Sequence, residues 1–266
     1  MLLYSIQDRS LSEHQQQRSL RIGYAIEPPY SFVTETGQVS GLLPTLAKKV
    51  AQDLGITQIE WIQVSTNELI PGLEQGRFDL IATGMYITRE RAQIVAFSDP
   101  VVCAQPELLI LPGATLTIDA LPQQAPTDLK IAVVQGSAEA TQLERMGIPI
   151  AQLLLVADPS MGYKAVAAGL ADGFARSAPT IRWLIDQQPA EHLTHTTAFR
   201  GSAAPSALEY IGFAFRRSDQ QLLPAWNRAQ QRYITHPSYQ QMLGDFGFIP
   251  TESPGSITTK ELLQWD

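Results

Sequence analysis

Apolar positions recur along the 266-residue chain with the periods of regular secondary structure, and the first clear run is Leu20-Arg21-Ile22-Gly23-Tyr24-Ala25, a strand. Glu27-Pro28-Pro29 stops it, because proline cannot continue a central ladder. Thr34-Glu35-Thr36-Gly37-Gln38 reads as a tight turn between short extended pieces. Leu42, Leu46 and Val50 then return every fourth residue and mark a helix to residue 54, ended by Gly55. Alternation over 59–64 predicts a strand, 67–75 a short helix ended by Gly76, and 78–82 another strand. This order predicts an α/β unit with a mainly parallel sheet.

The same grammar repeats after the apolar run Leu108-Leu109-Ile110-Leu111 and Pro112-Gly113. A Pro-bearing polar loop over 117–128 precedes a strand at 131–134, a helix from Ser137 to Met146 and a strand at 153–156. An alanine-rich helix follows Ser160, and Phe174-Ala175 reads as a short buried strand. Tyr210-Ile211-Gly212-Phe213-Ala214-Phe215 is a further apolar run, followed by helices over 219–233 and from Pro237. Two such units, linked near 110 and 208, create a mouth between them where a small ligand commonly sits.

Composition narrows the function. With 44% hydrophobic and 17% charged residues the chain is not of the disordered class. Lys plus Arg number 19 and Asp plus Glu 26, and the net charge of -7 with no basic tract excludes an extended nucleic-acid surface. No run approaches the roughly 18 apolar residues of a membrane span, and the first residues lack the basic start and apolar core of a secretory signal. The single cysteine, Cys103, sits among apolar neighbours and reads as a small buried hydrophobe. His192 and His195 have H-x-x-H spacing without a third ligand, so neither a metal nor another cofactor is expected. Dinucleotide, phosphate-loop, zinc-protease and nucleophile-elbow motifs are all missing. No enzyme is predicted.

Three loops carry binding chemistry. Arg91 follows the 78–82 strand within Thr83-Gly84-Met85-Tyr86-Ile87-Thr88-Arg89-Glu90-Arg91. There a guanidinium and free backbone N–H groups can clamp a carboxylate; the alternative is an ion pair with Glu90 or Asp99. Glu27 and Tyr30, in the Pro-Pro turn, can take a cation by carboxylate and aromatic face; the alternative is a structural turn with Tyr30 closing the core. Ser137 and Glu139 open a helix, as an ordinary cap and acidic first turn or as groups facing the mouth. Ser65, Thr66 and Asn67 offer further polar lining, and Tyr86 a ring across the ligand.

These residues resemble a known family. Thr88-Arg89-Glu90-Arg91 running to Ala96-Phe97-Ser98-Asp99-Pro100, with Gly41-Leu42-Leu43-Pro44, Leu73-Glu74-Gln75-Gly76-Arg77-Phe78-Asp79 and the final Tyr239 to Phe248 pattern, is similar to the type II solute-binding proteins of ABC importers. The resemblance runs from about residue 20 to 250 and lies within the polar amino-acid-binding branch. It implies a periplasmic-binding-protein-like type II fold, α/β, with two lobes around a ligand cleft. Residues 1–19 are then a leader or flexible arm, 20–110 and 208–250 lobe 1, 111–207 lobe 2, and 251–266 a C-terminal tail. By the same resemblance Arg91 holds the ligand carboxylate, Thr83, Gly84 and Tyr86 contribute contacts, and Ser137 contributes from lobe 2.

Many amino-acid binders place an aspartate for the α-ammonium where Ala171-Asp172-Gly173-Phe174-Ala175-Arg176-Ser177 puts Ser177. The set of Glu27-Pro28-Pro29-Tyr30, Ile70-Pro71-Gly72-Leu73, Cys103 and Glu139 looks instead like the ectoine/hydroxyectoine-binding subgroup. There the acids matching Glu27 and Glu139 engage the cyclic amidinium, and aromatics matching Tyr30 and Tyr86 flank the ring; Thr66 stands where the subgroup has a third aromatic. The resemblance implies a monomeric, periplasmic or extracytoplasmic receptor that hands a small zwitterionic solute to an ABC transporter permease. Alternatives are a binder of polar or cationic amino acids, the sensor domain of a larger receptor, and a cyclohexadienyl-dehydratase-like enzyme.

Overall fold

The computed structural model describes residues 8–114, 116, 128–187, 193–195 and 209–264. Helix α1 (Ser10–Gln17) leads into β1 (Ser19–Tyr24), and the hairpin β2 (Phe32–Val33) and β3 (Val39–Ser40) precedes α2 (Leu42–Asp53). The four-residue apolar spacing read in the sequence puts Leu42, Leu46 and Val50 on the buried face of α2. β4 (Gln58–Gln63), α3 (Leu69–Glu74), β5 (Leu80–Ile81), α4 (Arg89–Ala92) and β6 (Val95–Phe97) follow. β7 (Val102–Ala104) and β8 (Pro106–Ile110) carry the chain into the second unit.

That unit contains β9 (Ile131–Val134), α5 (Ala138–Arg145), β10 (Leu153–Val156), α6 (Pro159–Ala167), β11 (Gly173–Ser177), α7 (Ala178–Gln187) and β12 (Thr194–His195). The chain returns through β13 (Glu209–Ile211) to β14 (Ala214–Arg216), α8 (Leu222–Ile234), α9 (Ser238–Asp245) and α10 (Thr259–Leu262).

Two five-stranded sheets result, ordered β4-β1-β5-β14-β6 in lobe 1 and β10-β9-β11-β8-β12 in lobe 2. β1 runs parallel to β4 and β5, and β9 parallel to β10 and β11. The returning strands β14 and β8 are antiparallel to their neighbours. Between the sheets β7 and β13 pair as an antiparallel ribbon, with Tyr210 opposite Cys103, so the chain crosses between lobes twice and side by side.

Several local expectations change. β8 belongs to the second sheet, so the first crossing precedes Pro106 instead of lying at 110; its apolar residues complete the β11 edge. Residues 210–215 divide into β13 and β14 at Gly212, because one half builds the crossing and the other the lobe 1 sheet. Residues 10–17, expected within a flexible arm, form α1, and Ser10 Oγ and the Asp8 carboxylate accept the Leu222 and Gln221 N–H groups at the start of α8. The tail also docks: Thr259 N–H donates to Asp99 Oδ1 at 3.1 Å and its hydroxyl to the Ser98 carbonyl at 2.6 Å. The expected loop at 117–128, apart from Asp128, lies outside the described residues, as does His192.

Lobe 1 is centred on Trp226, which is fully buried and packed edge-on against Phe213 and Phe215 with ring centroids 5.1 and 5.6 Å apart. Each fully buried large apolar side chain of this kind stabilises the fold by about 1.5–3 kcal/mol. Among the described residues no helix is long and apolar enough to cross a membrane. The carboxyl ends of β1, β5, β9 and β11 are followed by the loops bearing the candidate chemistry, where open α/β sheets place their ligands.

Candidate functional site

The Pro28-Pro29-Tyr30 turn is closed by a pair of backbone hydrogen bonds, Glu27 N–H to Ser31 O at 2.7 Å and Ser31 N–H to Glu27 O at 3.0 Å. This leaves the Glu27 carboxylate facing inward, 3% exposed. Ser31 Oγ ties the turn to Thr83, 2.7 Å away, at the end of β5. The next residue is glycine for a steric reason. A Cβ on Gly84 would lie 2.8 Å from Tyr30 Cδ2 and 2.9 Å from Glu27 Cδ, so no side chain fits between that loop and the turn.

Thr88 caps α4 by accepting the Arg91 N–H at 3.2 Å, which fixes where Arg91 leaves the backbone. The half-buried guanidinium donates through Nη1 to the Tyr86 carbonyl at 3.1 Å and through Nη2 to the Gly136 carbonyl of lobe 2 at 3.2 Å. Arg91 makes neither of the alternative ion pairs: Glu90 pairs with Arg145, and Asp99 Oδ1 accepts from Thr259. Burial lowers its pKa while the nearby Glu139 and Glu27 carboxylates raise it.

In lobe 2 Gly136 takes φ +79°, a conformation glycine adopts freely. A Cβ there would meet Asn67 Cα of lobe 1 at 2.8 Å, which shows how closely the lobes approach. Ser137 is the N-cap of α5, accepting from Ala140 N–H at 3.2 Å. Glu139, in the first turn of that helix, is 1% exposed.

Between Glu27 and Glu139 lies Arg176, on β11 and 3% exposed. Its Nη1 donates to Glu139 Oε2 at 2.8 Å, and its Nη2 pairs with Glu27 Oε1 across the two lobes. Arg176 Nε and the Tyr86 hydroxyl are buried with no hydrogen-bond partner. Burial pushes Glu27 up to about 7, opposed by Arg176. Burial works against the Arg176 cation, yet Glu139 and Glu27 raise its pKa on balance.

These groups line a narrow interlobe cleft. It gathers Glu27, Thr66, Thr83, Gly84, Tyr86, Arg91, Ser137 and Glu139, eight of the residues expected from the sequence, with Leu69, Met85, Ala138 and Arg176. Tyr30 and Ser177 are outside this lining. Tyr30 is fully buried in the lobe 1 core, edge-on to Phe248 at 5.2 Å, behind Gly84. Ser177 is buried and donates to Thr180 Oγ1 at 3.1 Å, within the start of α7. Sequence reasoning missed Arg176 altogether. Its signal was a charged residue in the strand 173–177, every position of which is buried.

Cys103 is buried in β7, its thiol pushed up to about 12 by burial. Among the described residues no cluster of His, Cys, Asp or Glu could hold a metal ion. What the arrangement offers is a guanidinium at the mouth, a buried acid pair, and unsatisfied polar atoms able to hydrogen-bond a small polar molecule.

Residues 20–247 match the bacterial extracellular solute-binding proteins, family 3. A probable amino-acid ABC transporter periplasmic-binding protein, y4tE, of Sinorhizobium fredii is 28% identical over 260 residues, covering 95% of this chain and 85% of the relative. The lysine/arginine/ornithine-binding periplasmic protein of Escherichia coli is 25% identical over 220 residues, covering 80% of this chain and 81% of its own. Among solved structures, EhuB in complex with hydroxyectoine superimposes with a TM-score of 0.87 at 25% identity, covering 96% of this chain and 98% of EhuB.

Proposed function

The chain belongs to the bacterial extracellular solute-binding proteins, family 3, and from that membership we propose that it is the extracytoplasmic receptor of an ABC importer for a small, net-neutral, carboxylate-bearing zwitterion, ectoine or hydroxyectoine foremost. The observation that carries this reading is the Arg91 guanidinium, half-buried at the mouth and joined to both lobes. A ligand carboxylate there receives a two-pronged, charge-assisted hydrogen bond, and removal of water on closure strengthens it. Glu27, buried in the same cleft and paired with Arg176, supplies a carboxylate that the positive end of a zwitterion would share with that arginine. The Tyr86 hydroxyl is a donor that a bound solute satisfies.

A polar or cationic amino acid is the second reading, favoured by the similarity to the lysine/arginine/ornithine-binding protein of Escherichia coli. Calorimetry against ectoine, hydroxyectoine, betaines and the common amino acids separates the two. Heat with either ectoine and none with arginine supports the first; tight binding of arginine or glutamine with silence toward both ectoines rejects it. Recovery of the bound solute unchanged tells a receptor from a dehydratase-like enzyme, and coupled uptake with the permease tells a transport component from a sensor domain.

A further inference from the structure

Two buried carboxylates that recognise the positive end of a solute have to be free to receive it. In this cleft they are already engaged. Arg176 donates to Glu139 at 2.8 Å and pairs with Glu27, and all three side chains are at most 4% exposed. We propose that Arg176 is the specificity-determining residue of the cleft, a tethered cation that holds the acid pair and so excludes solutes of net positive charge. This inference rests on reading the cleft as a solute site, and it adds which charge class that site takes.

Charge balance in a partly desolvated cleft sets this preference. Two acids, Glu27 and Glu139, face two bases, Arg91 and Arg176, in one cleft lining, and with burial pushing Glu27 up the lining holds no excess of negative charge to offer a cation. Glu209, at the start of β13, also faces Glu139 and Arg91, and burial pushes it toward its neutral form. A net-neutral zwitterion enters without disturbing the balance. A cationic amino acid brings an excess positive charge between two arginines, and like charges held together out of water weaken binding by orders of magnitude. Exclusion is not the whole role. The Arg176 Nε–H is buried in the cleft wall without a hydrogen-bond partner, so the same side chain has a donor left for an acceptor on an admitted solute.

Arg176 also differs in kind from Arg91. Among the described residues Arg91 donates to the backbone carbonyls of Tyr86 and Gly136, which compete weakly with a carboxylate for its charge. Arg176 is bound by two carboxylates through one oxygen of each, so a solute cation that approaches either acid meets a positive charge already seated on it. Removing the arginine leaves the acid pair with excess negative charge, a site that favours the cations the native protein rejects.

The test is calorimetry of wild type, Arg176→Met, Arg176→Gln and Arg176→Lys with L-arginine, its neutral isostere L-citrulline, and ectoine. Wild type should favour citrulline over arginine by at least tenfold or give no heat with arginine. Either neutral variant should tighten arginine binding at least tenfold over wild type, and Arg176→Lys, which keeps the charge, should not. Equal affinity of wild type for arginine and citrulline overturns the proposal. So does a failure of both neutral variants to gain arginine, and if neither folds, the wild-type preference and its persistence in Arg176→Lys decide. Silence toward ectoine together with a gain of arginine rejects the ectoine assignment and keeps the role of Arg176. Ectoine binding with no change in arginine affinity does the reverse.

Discussion

Replacing Arg91 by alanine removes a guanidinium whose two terminal nitrogens reach Tyr86 O at 3.1 Å and Gly136 O at 3.2 Å, one on each side of the cleft. In the receptor reading both prongs turn to the ligand carboxylate. Hydrogen bonds to a charged group are worth about 1.5–3 kcal/mol each, and the half-buried position of Arg91 argues for the lower end of that range. Two such bonds come to about 3 kcal/mol, or a rise of roughly 150-fold in Kd. Arg91→Lys keeps the charge and loses the fork, so it should fall between wild type and alanine. The assay is calorimetry with the panel solute that binds wild type most tightly, with circular dichroism to show that the variants remain folded. A change below threefold in Arg91→Ala, or an Arg91→Lys indistinguishable from alanine, would refute the clamp.

Glu27 gives a pH signature whose sign can be worked out. Its pKa is raised from 4.5 to about 7 in the folded protein, so its contribution to stability is fully present below about 4.5 and is lost as pH rises through about 7. Wild type should therefore lose stability relative to Glu27→Gln across that window in urea titrations, and a difference independent of pH would contradict it. Gly84→Ala forces a Cβ to 2.8 Å from Tyr30 and 2.9 Å from Glu27; overpacking of this kind costs about 1–3 kcal/mol, and unfolding at wild-type denaturant concentration would count against the close approach. Asp8→Ala removes the carboxylate that accepts the Gln221 N–H at 2.6 Å and should lower stability by about 1 kcal/mol, the usual worth of a helix cap; no loss on thermal melting would show that α8 does not depend on its distant cap.

Most of the fold was legible because its elements follow local periods. Leu42, Leu46 and Val50 announced α2 and its buried face, and the runs 131–134 and 153–156 appeared as β9 and β10. Ser137 was readable as a cap from its place ahead of an acidic first turn. Errors fell where a residue's role is set by strands distant in sequence. The apolar run 210–215 is continuous as a string, yet β13 pairs with β7 and β14 with β5 and β6, so the run serves two structures. α1 illustrates the same limit, since a polar Gln-rich segment gains order from the α8 terminus it caps.

By itself the sequence determined the two α/β units, the excess of acid over base, and the loops at Glu27, Thr83 to Arg91 and Ser137 as places for chemistry, because periodicity, turn residues and capping are properties of near neighbours. Only the tertiary structure decided what those loops do to one another. It put Tyr30 behind Gly84 as core, and it brought Arg176 between Glu27 and Glu139. The reason is that burial and charge pairing act through space. An arginine in an apolar strand has no visible partner along the chain, and the lone acids of two separate loops become a balanced cluster only where the lobes meet.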